Sequence, residues 1–182
     1  MDTHTDTIQL HGRHFCQYID RSSLAQTIQR LALEIDRDHG SHLPLLCPVL
    51  TGSYIFAADL SRAIPSPHEV TFVQYTSYAG MASTGTVNAK LPFDERYRGR
   101  HVIIVEDIVE SGLCMVTMLN HLAQFQPASV SVCSLCFKPN LFKETFKIDY
   151  IGYSIPDDFI VGYGLDYDGL GRHYPDVYSL SE

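Results

Sequence analysis

The strongest constraint on the fold is a continuous run of β-branched residues, Val102-Ile103-Ile104-Val105. A strand with one solvent-exposed face alternates apolar and polar residues, whereas this run contains no polar position. It is typical of a strand in a parallel sheet that is covered on both faces. The run therefore favours an α/β architecture.

Helical and strand-like patterns alternate along most of the chain. Apolar residues recur at helical spacing from Leu24 to Ile35, after a capping-box sequence at Ser23–Gln26 and before a stop signal at Gly40. The other predicted elements are the helices Tyr54–Ile64 and Leu113–Phe125 and the strands Leu45–Leu50, Glu69–Thr76, Val130–Phe137, Tyr150–Ser154 and Phe159–Tyr163. This alternation predicts a mainly parallel twisted sheet flanked by helices.

The length of the chain predicts one domain. Its 182 residues fall in the usual range for a single domain, 1–182. We expect a core at about residues 22–148 and a small lobe formed mainly by residues 149–182 together with the N-terminal residues.

Composition narrows the classes of partner and location. Thirteen Lys and Arg stand against 21 Asp and Glu, so the net charge is −8, which argues against nucleic acid and membrane surfaces as partners. The sequence begins without the layout of a signal peptide and has no membrane-helix stretch, and its five cysteines are scattered, so we expect a reduced, cytoplasmic setting. Cys133 and Cys136 are predicted to be buried thiols, and His11, His14 and Cys16 to lie in a surface loop rather than a metal cluster.

A polar segment follows the β-branched run. It is predicted to be a loop that starts with the adjacent carboxylates Glu106 and Asp107 and ends with Glu110, Ser111 and Gly112, which open the next helix. Three carboxylates so close together repel one another unless a cation or hydroxyl groups lie beside them. Free N–H groups at a helix N-terminus bind anions. The pattern favours a sugar-phosphate pocket; the alternative is a capped helix whose acidic residues complement its dipole.

Four blocks of the sequence resemble one enzyme family. Val102–Met115 closely resembles the phosphoribosyl-pyrophosphate signature of type I phosphoribosyltransferases, in particular the hypoxanthine (guanine) phosphoribosyltransferases. The other blocks resemble that family's pyrophosphate loop, flexible catalytic loop and C-terminal purine and metal segment; they are Val49–Leu60, Ser77-Tyr78 with Ser83–Gly85, and Ile155–Tyr167 with Arg172. Lys138 follows a strand as the family's purine-reading lysine does.

The resemblance implies the type I phosphoribosyltransferase fold, with a small hood lobe from the chain ends, and a function in purine salvage. The enzyme would transfer the 5-phosphoribosyl group from phosphoribosyl pyrophosphate to a 6-oxopurine, with Mg²⁺ as cofactor, as a homodimer or homotetramer. The roles implied are the general base, Glu110; the ribose site, Glu106 and Asp107; the 5′-phosphate loop, Glu110, Ser111, Gly112, Leu113 and Cys114; the pyrophosphate site, Thr51, Gly52 and Arg172; the purine site, Lys138, Phe159, Ile160 and Asp166; the flexible lid, Ser77 and Tyr78; and the metal ligands, Glu106, Asp107 and Asp166.

Three positions depart from the family pattern. Glu110 stands where the proposed general base is usually Asp, and Cys114 stands where the phosphate loop usually has Thr. Thr51 stands where Lys or Arg is common, and the peptide bond entering it is often cis in the family. The missing cation predicts a strong dependence on Mg²⁺. The alternatives are a xanthine- or guanine-preferring transferase, a regulator that senses phosphoribosyl pyrophosphate without turnover, and an enzyme degraded at these three positions.

Overall fold

The computed structural model describes residues 6–77 and 87–181. The α-helices of these residues are α1 (Arg21–His39), α2 (Tyr54–Ala63) and α3 (Leu113–Ala123). The strands are β1 (Thr7–Leu10), β2 (Arg13–Ile19), β3 (Leu45–Pro48), β4 (Glu69–Val70), β5 (Gln74–Ser77), β6 (Val87–Leu91), β7 (His101–Val109), β8 (Ser129–Phe137), β9 (Tyr150–Ser154), β10 (Ile160–Val161) and β11 (Val177–Ser181). None of the described helices is both long enough and apolar enough to cross a bilayer.

A five-stranded parallel sheet lies at the centre, in the order β4-β3-β7-β8-β9. The middle strand, β7, carries the β-branched run, and all four of its residues are fully buried. Ile103 and Val105 pack with residues of α1 and α2, whereas Val102 and Ile104 pack with residues of α3. The sheet is therefore covered on both faces, and the predicted fold class is confirmed.

Helix α1 begins earlier than the sequence predicted. Its N-cap is Asp20, whose carboxylate accepts hydrogen bonds from the backbone N–H groups of Ser22 (2.9 Å) and Ser23 (3.0 Å). Hydrogen bonds from the hydroxyl and N–H groups of both serines lower the pKa of Asp20. The capping box at Ser23 was thus wrong by three residues, because Asp20 offers a carboxylate where the helix leaves N–H groups free.

Strand β7 is longer than predicted. The sequence placed a loop at residues 106–112, but pairing with β8 continues through Glu106↔Ser134 and Val109↔Phe137. Partners on β8 outweigh the poor strand propensity of two adjacent carboxylates. Only residues 110–112 are left to connect β7 to α3.

The predicted strand Glu69–Thr76 is divided in two. Its first part is β4, at the edge of the parallel sheet, and its second part belongs to β5, which forms a separate hairpin with β6. The predicted loop Ser77–Asn88 therefore has strand residues at both ends. Residues 78–86, including Tyr78 of the expected lid, lie outside the described residues.

A second, antiparallel sheet is built from the two ends of the chain, in the order β1-β2-β11-β10. The expected surface loop at His11, His14 and Cys16 was wrong, since these residues lie in the β1–β2 hairpin. The described residues contain no group of three or more side chains able to hold a metal. Cys133 and Cys136 are buried free thiols, as predicted, and burial raises the pKa of Cys136 to about 12.

Candidate active site

Two adjacent carboxylates lie near the carboxyl end of β7. Asp107 is buried, and its Oδ1 accepts a hydrogen bond from the Ile108 N–H (2.9 Å). The Oε2 atom of Glu106 is buried and has no hydrogen-bond partner among the described residues. Burial raises the pKa of both groups, and the neighbouring Asp107 charge raises that of Glu106 further. The pair is therefore suited to hold a cation or a set of hydroxyl donors.

The loop after β3 lies directly against this acid pair. The Leu50–Thr51 peptide bond is cis, as the resemblance implied. Ser53 donates its hydroxyl to the Val49 carbonyl (2.6 Å) and fixes the end of the loop. A Cβ added to Gly52 would lie 1.6 Å from Oδ2 of Asp107. Glycine is required here because the loop backbone approaches the carboxylate too closely for any side chain.

The third part of the site comes from the segment between β10 and β11. A Cβ on Gly164 would lie 2.1 Å from the Gly52 carbonyl oxygen. The Arg172 guanidinium donates to the Gly164 carbonyl (2.6 Å) and pairs with Asp166 (2.7 Å). Its charge opposes the rise in the pKa of Asp107. The structure thus brings Arg172 to the expected pyrophosphate loop.

Asp166 does not complete a metal cluster in this conformation. One of its carboxylate oxygens pairs with Arg172, and the other accepts a hydrogen bond from the Gly169 N–H (2.8 Å). In the part of the chain that the structure describes, no cluster of three ligands is formed. The described residues therefore do not gather Glu106, Asp107 and Asp166 into a metal cluster, and both carboxylate oxygens of Asp166 have protein partners.

A short turn, residues 110–112, connects the acid pair to α3. Because it lies in the expected 5′-phosphate loop, we call it the 5′-phosphate turn. Gly112 is the N-cap of α3 and has a left-handed backbone (φ +85°). Because a glycine caps the helix, the free N–H groups of its first turn face no capping side chain at that position. Cys114 is half-buried. Burial, and to a smaller extent the charge of the nearby Glu106, raises the pKa of its thiol to about 11. The turn has the form of an anion site.

Lys138 and Glu110, which were assigned separate roles, contact each other. Lys138 follows β8, is 4% exposed and donates its backbone N–H to the Val109 carbonyl (3.0 Å). Its ammonium group forms an ion pair with the half-exposed carboxylate of Glu110. The sequence did not indicate this pair, since the two residues lie on different strand ends.

The expected purine site is bordered by aromatic rings. Phe159 is 45% exposed and contacts the rings of Tyr167 (5.5 Å between centroids, edge-to-face) and Phe15 (6.3 Å). The side chain of Ile160 is buried, and this residue pairs with Ser179 in the antiparallel sheet. The sequence did not indicate that Phe15 and Tyr167 contact Phe159.

Comparison with known proteins decides the family. The sequence model of one protein family, the phosphoribosyl transferase domain, matches residues 17–168 of the chain. The chain belongs to this family. It is 41% identical over 142 residues to the hypoxanthine phosphoribosyltransferase of Salmonella typhimurium, covering 78% of this chain and 79% of that protein. It is 32% identical over 176 residues to the hypoxanthine-guanine phosphoribosyltransferase of Aquifex aeolicus, covering 96% and 99%.

Solved structures agree with these matches. The crystal structure of a hypoxanthine-guanine phosphoribosyltransferase from Bacillus anthracis superposes with a TM-score of 0.86 at 35% identity, covering 91% of this chain and 98% of that one. The expected family and the type I phosphoribosyltransferase fold are both confirmed.

Proposed function

We propose that this phosphoribosyltransferase acts in purine salvage and transfers the 5-phosphoribosyl group of phosphoribosyl pyrophosphate to hypoxanthine, and also to guanine. The products are IMP or GMP and pyrophosphate. Several relatives carry the name hypoxanthine or hypoxanthine-guanine phosphoribosyltransferase. The observation that carries the proposal is the approach of the Gly52 backbone to Asp107 beside Arg172 and the 5′-phosphate turn. Groups suited to a pyrophosphate, a ribose and a phosphate would then lie along one edge of the sheet, which supports the proposal.

The acid pair suits the sugar part of the reaction. The purine N9 lone pair attacks C1 of the ribose while the bond from C1 to the pyrophosphate oxygen breaks. Positive charge develops on the ring in such a displacement. Glu106 and Asp107 would hold the ribose hydroxyls and stabilise this charge.

Mg²⁺ fits the same carboxylates. The unpartnered Oε2 of Glu106 and the raised pKa of both acids indicate groups that a hard cation would stabilise in their ionised form. Glu106 and Asp107 would hold the ion, and Asp166 would join them if Arg172 released it to contact pyrophosphate. When bound, Mg²⁺ supplies charge neutralisation for the leaving pyrophosphate. Since Thr51 provides no cation, we expect a stronger dependence on Mg²⁺ than a lysine at this position would give.

The Lys138–Glu110 pair suits the purine. Lys138 would donate to the oxygen at position 6, and Glu110 would accept the proton that leaves N7. Adenine carries an amino donor at position 6, so it would offer the Lys138 ammonium no acceptor at that position of the purine. Phe159 would stack on the purine plane with its exposed ring. The site should therefore prefer 6-oxopurines.

The family suggests the oligomeric state of the protein, and the free cysteines suggest its compartment. We propose a homodimer or homotetramer that works in the cytoplasm on small-molecule substrates. The five free cysteines are compatible with a reducing compartment. Size-exclusion chromatography with light scattering would measure the mass in solution, and a monomer at assay concentrations would contradict the assembly.

A spectrophotometric assay tests the proposed reaction. The protein is mixed with phosphoribosyl pyrophosphate, Mg²⁺ and either hypoxanthine, guanine, xanthine or adenine. We expect turnover with hypoxanthine, a lower rate with guanine and none with adenine. A higher rate with xanthine would favour the xanthine-preferring alternative. Binding of phosphoribosyl pyrophosphate without turnover of any purine would show a non-catalytic sensor.

Variants of Glu110 test its proposed role as the general base. Glu110→Ala should lower kcat by about 10²-fold, because proton transfer by a placed carboxylate contributes at least this much. Glu110→Asp should keep most of the activity. Glu95→Ala is a matched control, since Glu95 is exposed and pairs only with Arg98 among the described residues. Wild-type turnover in Glu110→Ala would remove this residue from the mechanism.

A further inference from the structure

The 5′-phosphate turn has little support of its own. Gly112 has no side chain with which to cap α3, and its left-handed conformation is one that a free chain leaves easily. The hydrogen bond from the Leu113 N–H to the Ser111 hydroxyl is long (3.4 Å). Backbone N–H groups bind an anion well only when they are held in place beforehand. Some other part of the molecule must therefore hold the turn.

Backbone hydrogen bonds join residues 138–146, which we call the covering segment, to the turn and to the residue before it. The Lys138 N–H donates to the Val109 carbonyl (3.0 Å) just before it. The Lys143 N–H donates to the Ser111 carbonyl (3.3 Å) inside it. The covering segment is thus bonded to the backbone just before the turn and at its middle residue.

Two aromatic rings of the covering segment rest on Gly112. A Cβ at this glycine would lie 2.8 Å from Cε2 of Phe142, 2.9 Å from Cγ of Glu144 and 3.1 Å from Cε1 of Phe146. The edges of both rings therefore contact the glycine backbone where any other residue would carry its side chain. Movement of Gly112 toward the covering segment is blocked while the rings stay in place.

The rings are in turn held by an aromatic row. Phe142 packs edge-to-face on Phe146 (5.1 Å between centroids) and on Phe137 (5.2 Å). Phe137 is the last residue of β8 and precedes Lys138 of the expected purine site. Such edge-to-face pairs are more favourable than their buried area alone provides. The row joins the rigid end of β8 to the turn.

We propose that Phe142 and Phe146 are positioning residues for the 5′-phosphate of phosphoribosyl pyrophosphate. They act through Gly112, whose backbone they fix so that the N–H groups at the start of α3 meet the phosphate together. This inference rests on the proposed function, because it assigns a phosphate to this turn. It adds the residues that shape the phosphate site without touching the ligand.

Isothermal titration with two partial ligands separates this role from general stability. Ribose 5-phosphate carries the phosphate that the turn would bind, whereas pyrophosphate, titrated with Mg²⁺, occupies the other end of the site. We expect Phe142→Leu and Phe146→Leu to weaken ribose 5-phosphate about tenfold, the cost of about 1.4 kcal/mol for an unfixed turn. Pyrophosphate affinity should change less than twofold, which also shows that the variants are folded.

Two further variants complete the test. Phe125→Leu is the matched control, because Phe125 packs against the same core cluster at the other end of α3. It should leave both affinities unchanged. Phe142→Tyr keeps the ring edge and should bind ribose 5-phosphate like the wild type.

Several results would overturn the inference. These are unchanged ribose 5-phosphate affinity in both leucine variants, an equal loss in Phe125→Leu, an equal loss in Phe142→Tyr, or a loss of pyrophosphate affinity of the same size. Binding needs no turnover, so the result is independent of the transfer assay. An enzyme without transferase activity could still show the expected pattern, and an active one could still contradict it.

Discussion

The contact between Gly52 and Asp107 allows a prediction in depth. In Gly52→Ala the new methyl group would lie 1.6 Å from Oδ2, 2.6 Å from Cγ and 3.2 Å from Oδ1 of Asp107. All three nearest atoms belong to this one carboxylate. The substitution therefore perturbs the acid pair directly.

The size of the effect follows from these distances. An ordinary contact begins at 3.4 Å, so 3.4 − 1.6 = 1.8 Å must be gained by moving either the loop or the carboxylate. The carboxylate is buried and bonded to the Ile108 N–H, and the loop is held as well, because the Gly52 carbonyl packs on Gly164. A displacement of about 1 Å in an active site costs about 10²-fold in rate, so we expect kcat/KM for phosphoribosyl pyrophosphate to fall at least that far. Overpacking should also lower the free energy of unfolding by about 1–3 kcal/mol.

The measurements are steady-state kinetics and urea unfolding. Gly99→Ala is the control, because Gly99 has a left-handed backbone (φ +67°) but nothing within 4 Å of its Cβ position. It should lose about 1 kcal/mol of stability through backbone strain and keep its kcat/KM. A double-mutant cycle with Asp107→Ala isolates the clash: in that background, Gly52→Ala should cost little further stability. Additive losses of stability, or wild-type kinetics in Gly52→Ala, would refute the reasoning.

Three shorter predictions concern other parts of the site. Burial raises the pKa of Glu106, so the folded protein keeps this proton at pH values where the unfolded chain has lost it. The stability of the metal-free protein should therefore decrease as pH rises above about 4.5, the ordinary pKa of a glutamate. In thermal unfolding Glu106→Gln should make this decrease smaller; the same pH dependence in both proteins would contradict the prediction. Cys114→Thr restores a hydroxyl donor and should tighten ribose 5-phosphate about fivefold in titrations; unchanged affinity would show that residue 114 does not reach the phosphate. Arg172→Ala removes a cation and the bond to Gly164, so pyrophosphate should bind about tenfold more weakly, with the KM for hypoxanthine nearly unchanged; a larger effect on hypoxanthine would place Arg172 elsewhere.

Local sequence patterns were sufficient to predict the central sheet and its helices. The run Val102–Val105 predicted a strand covered on both faces, and helical spacing placed α1, α2 and α3 to within a few residues. The resemblance carried the cis bond at Leu50–Thr51, which no local pattern indicates. These features depend on neighbours in the sequence or on motifs of fixed spacing.

Contacts between distant segments could not be predicted in the same way. The extension of β7 to Val109 depends on partners in β8, and the position of Phe159 depends on Phe15 from the other end of the chain. The ion pair of Glu110 with Lys138 likewise requires that the neighbouring strands β7 and β8 end side by side in the sheet. A single sequence does not state which residues of two strands lie opposite each other, so such pairs are found only in the three-dimensional structure.

The pairing of β2 with β11 has a consequence for the order of folding. Cys16 lies opposite Ser179, so this sheet closes by joining segments from opposite ends of the chain. Contacts between such distant segments form late, because the intervening chain must first be ordered. Phe159 has its ring beside Phe15 of β2. We therefore expect a nascent chain to form β7, α3 and the turn between them, the proposed ribose and 5′-phosphate part of the site, before Phe159 takes its place in the proposed purine part.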